Sequence, residues 1–137
     1  MGCPGVIVLD THALIWWVTG DSRLSTAART VLDAASQDGG EVLVSAISAW
    51  EIAMLVQRDR LALAMDLEEW LRAVESIEGV TVVPISVSLA VQSVNLPGEF
   101  HKDPADRMIV ALARERNAQL VTADEKIQAY PHVRWLW

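Results

Sequence analysis

The chain has 137 residues, of which 52% are hydrophobic and 21% charged, so it can bury a core as a single domain over residues 1–137 and is not disordered. Its formal net charge of −7 excludes a broad basic surface for holding nucleic acid, so a bound divalent cation would have to supply positive charge at a phosphate site. Cys3 is the only cysteine, which excludes an internal disulfide and fits a reducing cytoplasm.

No basic segment followed by an apolar segment opens the sequence, so we expect no secretory signal. The apolar runs are far shorter than the ~18 residues that a membrane-spanning helix needs. We therefore expect a cytoplasmic protein with no membrane partner.

The first third of the chain predicts a strand and two helices. GVIVLD (Gly5 to Asp10) is a short apolar run rich in β-branched residues, which indicates a strand buried on both faces. HALIWWV has helical spacing of its apolar residues. DSRLSTAARTVLDAAS predicts a second helix with Ser25 as its N-cap, ended by Gly39-Gly40.

The middle of the chain predicts two strands with two helices between them. EVLVS (Glu41 to Ser45) is the second strand, and SAWEIAMLVQRDR is a helix that begins near Ser48. LEEWLRAVESI is another helix, with Gly79 as its C-cap. VTVVPI is the third strand.

The last third predicts a short helix, SVSLAVQSV, and a strong amphipathic helix, PADRMIVALARER. Asp103 before Pro104 is a favourable N-cap for the second of these. AQLVTAD then forms the fourth strand, EKIQAY a helical turn, and HVRWLW a closing strand. The alternation of strands and helices predicts an α/β fold with a parallel sheet covered by helices on both faces.

Acidic residues recur where strands end or where the helices beside them begin: Asp10, Glu51, Asp103, Asp106 and Asp124. Each alone has a capping interpretation. Asp10, Asp103 and Asp124 can cap the helices that follow them, Ser48 and Glu51 match a capping box, and Asp106 suits a first helical turn.

Capping does not require these carboxylates to lie close together. In an open parallel sheet, however, ligands bind beyond the carboxyl ends of the strands, and this topology directs the acids to one edge. Carboxylates packed together repel one another unless a cation lies between them. A cluster of three or four therefore predicts Mg²⁺ or Mn²⁺, which prefer oxygen ligands. The sequence has no cysteine–histidine cluster with zinc spacing.

Four motifs in order resemble those of the PIN-domain ribonucleases, specifically the VapC-type toxins of bacterial toxin–antitoxin pairs. They are VLDTHALIWW, VSAISAWEIAMLVQRDRLAL, FHKDPADRMIVALA and LVTADEKI. Together they extend over nearly the whole chain. The resemblance implies a three-layer α/β/α domain whose parallel sheet has strand order 3-2-1-4-5.

The resemblance also implies an endoribonuclease that depends on Mg²⁺ or Mn²⁺. Carried over residue by residue, the metal-binding and catalytic acids are Asp10, Glu51, Asp106 and Asp124. Asp103 is then an accessory residue, as a cap or as a second-shell ligand. Hydrolysis by metal-activated water would leave a 5′-phosphate and a 3′-hydroxyl, without help from the ribose 2′-hydroxyl.

Several polar residues beside the motifs have both a functional and a structural interpretation. The hydroxyls of Thr11 and Thr122 can position water or phosphate, or can cap helices. His101, Lys102 and Arg107 can touch RNA phosphates, or can form a solvated basic rim. The tryptophans at positions 16, 17, 50 and 70 have helical spacing, which favours core or interface packing over base stacking.

For partners, the resemblance implies an RNA substrate, a homodimer and a cognate antitoxin. The apolar segment EIAMLVQRDRLALAMDLEEWL offers a groove for that antitoxin.

Two alternatives to a nuclease remain. One is a PIN-like binding module without catalysis. The other is a phosphatase or phosphoacceptor domain. Two features argue against it: His12 occupies the position where a second aspartate is expected, and VVPIS lacks an acceptor aspartate.

Overall fold

The computed structural model describes residues 5–137, so Cys3 lies outside the described residues. Twelve elements follow one another in the described part of the chain: β1 (Val6–Leu9), α1 (Thr11–Thr19), α2 (Thr26–Gln37), β2 (Glu41–Ser45), α3 (Ala46–Gln57), α4 (Leu67–Glu75), β3 (Val80–Val83), α5 (Val87–Val94), α6 (Pro104–Glu115), β4 (Gln119–Val121), α7 (Glu125–Gln128) and β5 (Trp135–Leu136). This order confirms the predicted alternation. Within residues 5–137, no helix has both the length and the apolar character needed to cross a bilayer.

The five strands form one sheet in the order β3-β2-β1-β4-β5, and every pairing is parallel. The predicted three-layer α/β/α architecture and strand order are therefore confirmed. In the register of the sheet, Leu9 lies beside Val44 on one side and Val121 on the other. The carboxyl ends of β1, β2 and β4 consequently meet at one edge.

The core divides into two clusters, one on each face of the sheet, because neighbouring residues of a strand point to opposite faces. Ile7 and Leu9 belong to the cluster that α1, α2 and α4 cover. Val8, between them, belongs to the cluster that α5, α6 and α7 cover. All three are buried, as expected for a parallel sheet covered on both sides.

Helix α3 begins earlier than the sequence predicted, and the capping box is wrong. Ser45 is the N-cap, and its hydroxyl accepts a hydrogen bond from the Ile47 amide at 3.2 Å. Ser45 is also the last residue of β2, paired with Val83, so the helix starts where the sheet pairing stops. Ser48 is fully buried inside the first turn, which leaves its hydroxyl free for another partner.

The prediction that Gly79 ends α4 is also wrong. The helix stops at Glu75, and Ser76 is its C-cap. Gly79 belongs instead to the turn into β3, with a φ of 79°, and a Cβ there would stand 3.0 Å from the Ser36 carbonyl oxygen. The conformation and the close approach to α2 both require glycine.

The predicted packing role holds for some of the tryptophans. Trp70 is buried in the core, and the indole N–H of Trp17 donates to Asp33 at 2.9 Å. Trp50 is instead 58% exposed on α3, and Trp16 is half-buried at the edge of a cavity. Trp50 and Trp16 therefore leave aromatic surface open to a ligand.

Arg107 fixes the loop between α5 and α6. Its guanidinium donates hydrogen bonds to the backbone carbonyls of Ser93 (2.8 Å), Val94 (3.1 Å), Phe100 (2.9 Å) and His101 (3.1 Å). These contacts turn its donors toward the chain. They support a structural role for Arg107 better than the RNA contact suggested by the sequence.

We expect Arg107→Met to lower the free energy of unfolding by roughly 2–3 kcal/mol, because four carbonyl groups lose a charged donor. Urea denaturation measures this change. Lys102→Met is the matched control, since Lys102 is exposed, and it should change stability by less than about 0.5 kcal/mol. Equal stability of the two variants would contradict the structural role of Arg107.

Candidate metal centre

The four acids predicted as metal ligands converge on one cavity at the carboxyl edge of the sheet. Asp10 follows β1, Glu51 lies in α3, Asp106 in α6, and Asp124 follows β4. The cavity has a volume of about 370 Å³. Its lining consists of Asp10, His12, Trp16, Arg23, Glu51, Asp106, Ala123 and Asp124.

Asp10 is the most deeply buried of these acids, with only 7% of its surface exposed. Its Oδ1 accepts from the Thr11 amide at 2.9 Å, and its Oδ2 accepts from the Thr122 hydroxyl at 2.7 Å. Burial raises the pKa of Asp10, and the hydrogen bonds from Thr122 and Thr11 lower it in part. Asp10 thus caps α1 and faces the cavity at the same time.

Glu51 is held by a short chain of hydroxyl groups. The Thr11 hydroxyl donates to the Glu51 carboxylate, which uses its one proton. The Ser48 hydroxyl, 2.8 Å from that of Thr11, must therefore donate to it. Burial raises the pKa of Glu51, the Thr11 hydrogen bond lowers it, and the nearby Asp10 carboxylate raises it further.

Asp106 has the most strongly altered acidity in the cluster. Its pKa is raised to about 8, first by burial and then by repulsion from the carboxylates of Asp10, Asp103, Asp124 and Glu51. Its Oδ2 lies 3.0 Å from Nε2 of His101, but the two atoms do not form a hydrogen bond.

Asp103 and Asp124 both act as helix caps. The Asp103 carboxylate accepts from the Asp106 amide at 3.1 Å and begins α6, as the sequence predicted. The Asp124 carboxylate accepts from the Lys126 amide at 2.8 Å and begins α7. Of the two, only Asp124 also lines the cavity, so capping and clustering coincide there, whereas Asp103 lines a neighbouring groove along α3.

The two threonines connect the acids to one another. Thr122 donates to Asp10 and accepts from the Asp124 amide at 3.0 Å, and Thr11 bridges Asp10 and Glu51. Both threonines are buried. Their contacts are with the carboxylates, so they orient the cluster rather than reaching into the cavity.

The residues present fit a hard divalent cation in their chemistry. Four carboxylates supply oxygen donors, and the burial and mutual repulsion that raise the pKa of three of them are relieved by a positive ion. Among residues 5–137, no three His, Cys, Asp or Glu side chains already stand close enough together to hold a metal ion. The open cavity suits an ion such as Mg²⁺, which usually retains several of its waters.

Arg23 lines the cavity but escaped the sequence analysis, because no local signal separates it from other surface arginines. Trp16, for which the sequence favoured packing, also lines the cavity. Ser48 was recognised but given the wrong role, since it supports Thr11 instead of starting α3.

The predicted RNA contacts lie on a neighbouring surface. His101, Lys102 and Arg107 border a separate cavity of about 560 Å³. His101 nevertheless reaches Asp106. Of the three, Lys102 alone combines exposure with no structural role identified above.

A fold of this strand order with acids gathered at its carboxyl edge defines a PIN domain, and the chain belongs to that family: the PIN domain profile matches residues 7–133. The resemblance noted from the four motifs is thus confirmed. Among curated proteins, the chain is similar to ribonuclease VapC22 of Mycobacterium tuberculosis (strain ATCC 25618 / H37Rv). The two are 38% identical over 128 residues, which is 93% of this chain and 94% of that protein.

Solved structures show the same fold. VapBC2 from Rickettsia felis, bound to a promoter DNA fragment, aligns with a TM-score of 0.69 at 17% identity, covering 96% of this chain and 97% of that one. DNA-bound VapBC from Salmonella typhimurium aligns with a TM-score of 0.66 at 21% identity, covering 95% and 96%.

Asp106 should make the metal-free protein less stable as the pH rises. Its pKa of about 8 in the folded state exceeds the ordinary 3.8, so the folded state binds more protons between these values and stability falls across them. With EDTA present, the melting temperature of Asp106→Asn should fall less than that of the unaltered protein from about pH 5 to about pH 9.

Asp38→Asn is the control for this measurement, because Asp38 is an exposed carboxylate at the C-terminal end of α2 and does not line the acidic cavity. It should leave the pH dependence unchanged. If Asp106→Asn shows the same slope as Asp38→Asn, the carboxylates do not repel one another as the structure indicates.

Proposed function

We propose that this PIN-domain protein is a divalent-metal-dependent endoribonuclease and the VapC-type toxin of a type II toxin–antitoxin pair. The observation that carries the proposal is the convergence of Asp10, Glu51, Asp106 and Asp124 on one cavity. The 38% identity to a ribonuclease over nearly the full length supports the same reaction class.

In this proposal the four carboxylates hold Mg²⁺ or Mn²⁺. When bound, such an ion lowers the pKa of water and neutralises charge on the scissile phosphate. Asp10 and Glu51 enter the site already oriented by Thr122 and Thr11, which lowers the entropy cost of assembling the ligands.

Asp106 contributes the carboxylate most sensitive to a cation. Burial and then the neighbouring carboxylates raise its pKa to about 8, so a bound cation would favour its ionised form. Asp103 keeps its place as the cap of α6 and thereby positions Asp106 one turn later. Hydrolysis would form a bond from water oxygen to phosphorus and break the bond to the 3′-oxygen, leaving a 5′-phosphate.

The proposal predicts Mn²⁺- or Mg²⁺-dependent cleavage of single-stranded RNA, abolished by EDTA. Asp10→Asn should lower kcat at least ~100-fold, because it removes a cation ligand at the centre of the cluster. Gel analysis of end-labelled RNA measures both the rate and the 5′-phosphate on the products. Absence of cleavage by antitoxin-free protein would instead favour a PIN-like binding module.

A thermal-melting experiment with Mn²⁺ separates the roles of the two acids of the third motif, Asp103 and Asp106. Mn²⁺ should raise the melting temperature of the unaltered protein, since a ligand of the folded state stabilises it. Asp106→Asn should lose this rise, and Asp103→Asn should keep it, because asparagine caps a helix about as well as aspartate. The reverse result would exchange their roles.

We further propose that the antitoxin lies in an apolar groove of about 700 Å³ along α3. Exposed Trp50, with Met54 and Leu55, forms its apolar wall, and Glu51 and Asp103 stand where it approaches the acidic cavity. An amphipathic segment could bury its apolar face here. A basic side chain at its end would then meet the carboxylates.

For the homodimer, a different surface is the candidate. Val87, Val91 and Val94 on α5 are all exposed, at spacings of four and three residues, and so form one apolar stripe along the helix. Such a stripe suits a second copy of the chain, because isologous contacts pair a surface with itself.

The two surfaces predict opposite effects of two matched substitutions. Val91→Glu should convert a dimer into a monomer, whereas Trp50→Glu should leave the dimer intact and weaken the antitoxin complex by ~100-fold or more, because a charge replaces an aromatic anchor. Light scattering measures the mass, and calorimetry with the cognate antitoxin measures affinity. If Trp50→Glu alone breaks the dimer, the assignments are interchanged.

A further inference from the structure

Arg23 places a guanidinium at the wall of the acidic cavity. It lies in the connection between α1 and α2, and it lines the same cavity as Asp10, Glu51, Asp106 and Asp124. Its guanidinium carbon stands 5.1 Å from the centroid of the Trp16 ring, within the ~6 Å range of cation–π interactions. The cavity that gathers the carboxylates therefore also carries a cation of the chain's own.

The orientation of this guanidinium is fixed from two sides. Nε and Nη2 donate to the two oxygens of Asp21 at 3.1 and 2.8 Å, while Trp16 lies against the planar group. The Asp21 amide in turn donates to the Trp16 carbonyl at 2.8 Å, so all three residues hold one another. Within residues 5–137, these hydrogen bonds use Nε and Nη2, which leaves Nη1 for a ligand.

Stability alone is a weak explanation for this arrangement. The Arg23 side chain is 67% exposed, and exposed ion pairs contribute little. Arg23 pairs with Asp21, outside the cluster, rather than with any of the four acids it faces. It therefore leaves the cluster free for a cation and keeps Nη1 available beside it.

RNA approaching four carboxylates meets repulsion that the metal site relieves only locally. An arginine is suited to the next phosphate along the strand, because its planar donors match phosphate oxygens and it remains charged at any working pH. Trp16 adds an aromatic wall, packed edge-on against Trp137 with ring centroids 5.8 Å apart.

We propose that Arg23, held between Trp16 and Asp21, binds an RNA phosphate adjacent to the scissile one and sets the position of the strand over the carboxylates. This inference rests on the proposed ribonuclease function. It assigns the substrate contact to a loop that none of the four motifs contains.

The test is the affinity of a fluorescein-labelled single-stranded oligoribonucleotide, measured by anisotropy in the Asp10→Asn background so that the RNA stays intact. Adding Arg23→Gln should weaken binding about tenfold, the scale of one charged hydrogen-bonded contact. The slope of log affinity against log salt should become shallower by about 0.7, as expected for one lost phosphate contact with a single strand. Arg23→Lys keeps the charge but not the planar group, so its RNA affinity should lie between that of the Asp10→Asn protein and that of the protein with Arg23→Gln added.

Arg116→Gln is the matched control, since Arg116 also lies near an acid, with Nε 3.8 Å from Glu115, but ends α6 far along the chain from Asp106. It removes the same charge and should leave affinity and slope unchanged. Equal behaviour of the two glutamine variants overturns the assignment, and so does undetectable RNA binding by the Asp10→Asn protein.

Two further measurements distinguish a failure of the Arg23–phosphate contact from a failure of the ribonuclease function. In the otherwise unaltered chain, Arg23→Gln should raise KM for RNA cleavage and keep the Mn²⁺-induced rise in melting temperature. Loss of that rise means that Arg23 supports the metal cluster, which overturns the phosphate contact. Arg23-dependent RNA binding without any Mn²⁺-dependent cleavage keeps the contact and rejects the ribonuclease function.

Discussion

The pairing of β1 with β4 obliges Asp10 to be buried among other carboxylates. Leu9 lies beside Val121, so the residues that follow them, Asp10 and Thr122, emerge together at the carboxyl edge. Burial and like charges both penalise ionised acids at that place. The chain compensates with one amide and one hydroxyl on Asp10, and with the Thr11 hydroxyl on Glu51. These bonds orient the carboxylates without neutralising them, which is the arrangement that a cation requires.

Helix α3 joins this edge to the outside of the molecule. Glu51 borders both the acidic cavity and the apolar groove that contains Trp50. A ligand seated in the groove is therefore one side chain away from the carboxylates. Inhibition by a protein partner needs no conformational change in such a design, because a partner that fills the apolar groove can cover or neutralise the acids directly. Arg23 lines the same cavity without bordering the groove.

The sequence predicted what depends on local patterns. The element order followed from hydrophobic periodicity, Ser25 and Asp103 were recognisable caps, and the strand order came with the resemblance. The errors arose where distant segments decide. Both Ser45 and Ser48 are suitable residues for the start of α3, and no local pattern decides between them. The pairing of Ser45 with Val83 ends the strand at Ser45, and the hydroxyl of Ser48 is used by Thr11, which lies 37 residues away from it. The acidity of Asp106 likewise depends on its burial and on the carboxylates of Asp10, Glu51 and Asp124, whose distances no local pattern contains.

The bond between Thr122 and Asp10 joins residues 112 positions apart. On a ribosome, Asp10 leaves the exit tunnel long before β4 has been translated, and until then neither the Thr122 hydroxyl nor the Asp124 carboxylate exists to complete the cavity. Contacts of such separation form late in folding, because loop closure must precede them. The cavity that gathers the carboxylates therefore arises only when almost the whole chain is available to fold.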